Sequence, residues 1–162
     1  MYVLHGSLFL NEVLYADRQL KFYLSNSKRL QTVVVKLFNV FFCIVFILFA
    51  AVQYNDPDPY VWMPIYLYAA VLCWLAFRNK YFPGAYLLGI VVYLGYAVYK
   101  FFDKNGVWDW MTKHDAANIA GTMKAEKPWI EETREFFGLV ILIVVLLINY
   151  FYAKRKMKKI AN

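Results

Sequence analysis

Two short stretches concentrate the side chains that could do polar chemistry. Gln53-Tyr54-Asn55-Asp56-Pro57-Asp58-Pro59 follows one apolar block, and Glu131-Glu132-Thr133-Arg134-Glu135-Phe136-Phe137-Gly138 opens another. If both lie at one end of a helical bundle, Asp56, Asp58, Glu131, Glu132 and Glu135 converge. Carboxylates gathered in this way can hold a hard cation such as calcium or magnesium. They can also move protons as general acids or bases. Glu131 and Glu135 are four apart, share a helix face, and repel unless something neutralises them. His114 would join as a softer ligand or a proton carrier. No spacing is specific for a metal, so none is assigned; Asp56, Asp58 and Glu135 are the carboxylates that would have to supply ligands.

The same residues have a structural reading, which takes precedence because acids at helix ends are common. Pro57 and Pro59 stop a helix and hold the residues before them extended. Asp58 is placed as an N-cap with Pro59 at the first helical position. Asn55 tolerates the left-handed conformation that ends a helix. Glu131, Glu132 and Glu135 suit the positive end of a helix dipole. Arg134 is expected to pair with Asp56 or Asp58. Gln53 and Asn55 complete the polar patch.

The elements that must position this patch are membrane spans. The chain has 162 residues, of which 62% are hydrophobic and 20% aromatic, too much apolar surface for a soluble domain of this size to hide. The apolar residues fall in four continuous blocks, at about 33–52, 60–77, 82–102 and 136–152, the last extended back to 131 by the acidic turns. A hydrocarbon core needs about 20 helical residues, and runs that do not alternate indicate helices rather than strands. The expected fold is an all-α membrane protein, a four-transmembrane-helix bundle with the first and fourth spans in contact. Residues 1–31 form an N-terminal segment, read as an interfacial helix from near Ser7 or as an unstructured arm. Residues 103–130 form an outer loop, and 156–162 a basic tail. The first block lacks a small-x-small cleavage site and is expected to stay as an anchor.

Lysine and arginine placement gives the orientation. Arg18, Lys21, Lys28, Arg29 and Lys36 precede or begin the first span, and Arg78 and Lys80 sit between the second and third. Lys154, Arg155, Lys156, Lys158 and Lys159 follow the fourth. The 53–59 loop has no basic residue. Both termini are therefore expected in the cytoplasm of a multi-pass protein of the cell membrane. The net charge of +7 is then directed at anionic lipid and not at nucleic acid.

Inside the spans, Asn39 and Asn149 lie at similar depth and are expected to hydrogen-bond between helices. Gly84, Gly89 and Gly95, with Ala85 and Ala97, suggest a small-residue packing face on the third span. Cys43 and Cys73 read as unpaired apolar side chains. In the outer loop, Thr112 and Asp115 suggest a capping box for a helix over 113–125, with Ala117, Ile119, Ala120 and Met123 facing inward. Trp108, Trp110 and Trp129 read as an interfacial belt.

Ala51-Val52-Gln53-Tyr54-Asn55-Asp56-Pro57-Asp58, followed by Val61, Trp62 and Tyr66, resembles the transmembrane protein 220 family. So does Glu132-Thr133-Arg134-Glu135 with Gly138-Leu139-Val140-Ile141. The likeness covers roughly residues 33–152. It implies a small multi-span membrane protein and brings no assigned activity, substrate or cofactor.

Absences narrow the function. No span carries a charge near its middle, which weakens pump and ion-coupled transporter readings. Neither histidine lies in a span, so a bis-histidine haem is excluded. No phosphate-binding glycine loop, Cys-x-x-Cys or nucleophile elbow is present, and no cofactor is expected. The expected function is that of a non-catalytic membrane component with an outward acidic patch. It would partner lipid, another membrane protein or a second copy of itself. The alternative is a membrane enzyme acting on a lipid or envelope substrate through the outer carboxylates.

Overall fold

A computed structural model describes residues 2–55, 58–121 and 127–161. For residues 2–14, 16, 28, 55, 160 and 161 it describes the backbone alone. All regular elements among these residues are helical: α1 Tyr2–Val52, α2 Pro59–Phe77, α3 Pro83–Phe102, α4 Val107–Lys113 and α5 Pro128–Ala161. Four of them, α1, α2, α3 and α5, are long and apolar enough to cross a membrane. Large apolar side chains such as Phe41, Ile44, Leu88, Val91, Val144 and Ile148 are exposed on their outer faces, where lipid would solvate them.

The helix ends follow from local chemistry. Beyond Val52 the chain tightens into a 3-10 turn, Gln53–Asn55, which helps satisfy the last carbonyls of α1. Asn55 thus ends a right-handed turn and not a left-handed one. Pro59 and Pro83 open α2 and α3. Asp58 precedes α2, but its side chain makes no capping bond. The Val61 amide, a donor such a cap would use, goes instead to the Asp58 backbone carbonyl at 3.0 Å. Between α2 and α3, Asn79 takes φ 59°. Its amide bonds to Ala76 and that of Lys80 to Leu75, the two bonds of a Schellman motif.

The N-terminal segment is continuous helix with the first span. No proline interrupts Tyr2–Val52, and at ~1.5 Å per residue α1 is about 75 Å long. The outer-loop helix lies earlier than expected, at 107–113 rather than 113–125. Asp115 and Ala116 have φ of 47° and 50°, which ends the helix where one was expected to begin. Thr112 does not cap, because its hydroxyl donates back to the Trp108 carbonyl. Residues 114–121 are non-helical, and Met123 is outside the described residues.

In the core, α1 packs mainly on α2, and α3 mainly on α5. Phe46, Trp62, Tyr66, Cys73, Tyr86, Tyr93, Leu139, Leu142 and Leu146 fill the centre. Tyr93 donates to the Ile65 carbonyl at 2.7 Å and Tyr68 to that of Ala85 at 2.9 Å, joining α2 to α3. Cys43 and Cys73 are free and buried. The small-residue face on α3 is not continuous. A Cβ on Gly84 or Gly95 would meet nothing, whereas one on Gly89 would lie 2.8 Å from Leu146 and 3.0 Å from Tyr68. Spacings of five and six residues turn these glycines onto different sides of the helix.

The bundle has two chemically distinct ends. The acidic end holds the C-termini of α1 and α3 and the N-termini of α2 and α5. The basic end holds the α2–α3 turn, the C-terminus of α5 and the α1 residues that precede the bundle.

Candidate functional site at the acidic end

Lys100 stands in the last turn of α3, and its side chain is only 8% exposed. It turns inward to α5, where Nζ donates to Glu132 Oε2 at 2.8 Å. Glu135 Oε2 lies 2.5 Å from the same nitrogen, a second ion pair. Glu132 and Glu135 are three apart, so α5 presents them side by side. One ammonium is thus shared by two carboxylates.

Two aromatic rings complete the setting. The centroids of Trp62 and Tyr96 are 5.8 and 5.6 Å from Nζ, within reach of a cation–π attraction. Tyr96 precedes Lys100 by one helical turn and shares its face. Trp62 comes from α2, is fully buried, and sits 5.5 Å from Tyr96. Its indole N–H has no hydrogen-bond partner among the described residues. The cluster therefore joins α2, α3 and α5 at one level.

The expected patch is partly reorganised. Asp56 and the side chain of Asn55 lie outside the described residues. Asp58, at the head of α2, faces this end and adds its negative charge to the field at Tyr96 and Glu135. Glu131 is half-buried; the carboxylate that stands with Glu135 on the lysine is Glu132. Arg134 Nε donates to the Ile119 carbonyl at 2.6 Å, which ties α5 to the segment after α4. Gln53 and Arg134 also line a crevice of about 500 Å³ between α1 and α5, whose walls include Phe49, Tyr66, Ile119 and Phe137. His114 stacks on Trp129, with ring centroids 4.6 Å apart. Trp129 is buried and Trp108 exposed, so the three tryptophans do not form one belt. Among the described residues no three His, Cys, Asp or Glu side chains come together as a metal-binding set.

At the other end of the core, Asn39 Nδ2 donates to Asn149 Oδ1 at 3.0 Å and to the Val35 carbonyl at 2.9 Å. Both residues are fully buried. This bond brings α1 and α5 together even though each packs mainly on another helix.

Lys100, Trp62 and Tyr96 were not among the residues expected to form the site. A lysine at the end of an apolar run ordinarily extends toward the headgroups. The available signal was the pair of acids three apart at the matching level of the fourth span, which require a counter-charge once buried.

No match was found among curated proteins or among solved structures. A family model described as "Transmembrane family 220, helix" matches residues 45–151, which takes in the C-terminal end of α1, all of α2 and α3, the 53–59 loop and the acidic start of α5. With the model spanning more than half of its length, this four-span helical chain belongs to transmembrane family 220.

Proposed function

We propose that the protein is a non-catalytic component of the cell membrane, with both termini in the cytoplasm, whose acidic end recognises a cationic segment of another membrane protein. The observation that carries this reading is the shared lysine. Two carboxylates on one ammonium, with Asp58 close by, leave an excess of negative charge at an end whose helices are tied together. A tied, negatively charged surface favours a complementary positive partner and rejects a negative one. The pairing also weighs against the enzymatic alternative. A general acid or base must reach its substrate, and Glu135 is instead engaged by Lys100 with its side chain 11% exposed. Lysine and arginine placement supports the orientation.

The test is purification of the tagged chain in mild detergent, with and without Asp56→Asn and Asp58→Asn together. The expected result is a membrane-protein partner, or a second copy, recovered in fixed ratio with the parent and lost with the variant at equal abundance. Recovery of the parent alone with a bound metal ion or modified lipid would overturn the proposal. So would a partner retained by the variant.

A further inference from the structure

The basic end contains a cleft that the acidic-end reading does not use. Between α1 and α5 lies a cavity of about 740 Å³, within the size range of small-molecule sites. Its polar wall on α5 is Arg155, Lys156 and Lys159, and Gln31 faces them from α1. Its apolar wall includes Val34 and Val35. Among the described residues no acidic side chain lines it.

Position within the bundle orders these walls. The Asn39–Asn149 bond fixes α1 to α5 inside the core. Val34 and Val35 are about one turn from Asn39, while Gln31, Lys156 and Lys159 lie roughly 10–15 Å from the Asn pair along their helices at ~1.5 Å per residue. The cleft is therefore apolar where it adjoins the hydrocarbon and cationic where it meets the headgroups. Lys156 is also held in place, its Nζ 4.6 Å from the centroid of the Tyr81 ring.

We infer that this cleft is a specific binding site for one anionic phospholipid. Its phosphate-bearing headgroup would sit among Arg155, Lys156 and Lys159, with the first acyl carbons beside Val34 and Val35. Arg155 offers paired donors to phosphate oxygens, and the two lysines add point charge. Basic pockets between helices at the membrane surface bind such headgroups by the same chemistry.

The neighbouring cations provide the control. Lys154 and Lys158 are exposed on the same helix but do not line the cleft. The full-length chain in detergent is titrated with phosphatidylserine and read by native mass spectrometry. Phosphatidylcholine and inorganic phosphate serve as comparison ligands. One lipid per chain should saturate. Arg155→Gln with Lys159→Gln should weaken phosphatidylserine binding by about thirty-fold, a little over fivefold for each cation near the surface. Lys154→Gln with Lys158→Gln removes the same charge and should change binding by less than about twofold. Equal losses in both pairs would show diffuse attraction and overturn the site. Equal binding of phosphatidylcholine would overturn the headgroup assignment, and displacement of the lipid by inorganic phosphate would overturn the lipid as its source. An unchanged melting temperature in both pairs shows that the fold is not what is being read.

Discussion

Replacing Lys100 by methionine keeps the apolar stem that passes Tyr96 and removes only the charge. In the parent the ammonium lies 2.8 Å from Glu132 and 2.5 Å from Glu135. At an effective dielectric of about 20, each contact represents roughly 6 kcal/mol of gross attraction, most of it offset by desolvating the three charges. Deleting the lysine leaves two carboxylates adjacent on α5, with side chains 24% and 11% exposed and no counter-ion between them. Removing one partner of a buried ion pair costs about 3–5 kcal/mol, and that is the expected loss for Lys100→Met. Adding Glu132→Gln and Glu135→Gln should recover all but about 1 kcal/mol, because amides are cheaper to bury than unpaired charges. The assay is reversible unfolding in mixed micelles, followed by tryptophan fluorescence, since Trp62 is part of the cluster. A loss under about 0.5 kcal/mol, the range of an ordinary surface substitution, would refute the reasoning. So would a triple variant less stable than the single one.

Gly138→Ala should cost about 1–3 kcal/mol by overpacking, measured by the same unfolding assay. Its Cβ would lie 2.5 Å from the Tyr66 hydroxyl, and that ring is pinned between Phe49 and Trp62. Adding Tyr66→Phe removes the clashing atom and should restore most of the loss. Asn39→Leu should cost about 1 kcal/mol, and a double-mutant cycle with Asn149→Leu should show coupling near 0.6 kcal/mol; additive effects would deny the bond a role in stability. Cysteines placed by Asp58→Cys and Met157→Cys should react with an impermeant reagent from opposite faces of the membrane. The native cysteines are buried and give little background. Reaction from one face would overturn the proposed topology.

The spans were legible because lipid imposes a condition readable residue by residue: long apolar runs with no charge to solvate. Pro59 and Pro83 marked helix starts for equally local reasons. What escaped depends on distant partners or on competition between neighbours. Lys100 reads as the end of a span, and only contact with residues 32 and 35 positions later makes it a core group. Thr112 has the residue type of a cap, but its hydroxyl had a carbonyl within its own helix to bond. Gly106 was the better signal for α4. A Cβ there would lie 2.2 Å from the Lys100 carbonyl, so the chain turns sharply at that point and α4 begins next to it. The continuity of α1 was hidden because polar residues scattered from Asn11 to Thr32 set that stretch apart from the apolar run beginning at Val33, although no proline separates the two.

The two polar ties explain why a bundle in lipid would take this arrangement. Burying apolar side chains from one another gains little where the solvent is itself hydrocarbon, so packing and polar contacts decide which helices associate. α1 packs on α2 and α3 on α5, two pairs that ordinary side-chain packing maintains. Relative placement of the pairs then falls to a few polar contacts between them, among them the Tyr93–Ile65 and Tyr68–Ala85 bonds that join α2 to α3 mid-bundle. Lys100 acts at the acidic end, where Trp62 of α2 meets the α3–α5 ion pair. Asn39 and Asn149 act toward the basic end, joining α1 to α5. Between α1 and α5 close contact is limited, and cavities open on either side of the asparagine bond, one near Arg134 and one near Arg155. Loosening the asparagine bond should therefore alter the basic cleft before it disturbs the acidic end. Asn149→Leu is expected to weaken phosphatidylserine binding while leaving the fluorescence of Trp62 near its parent value. Equal disturbance at both ends would mean that the two ties act as one and would remove the argument for separate sites.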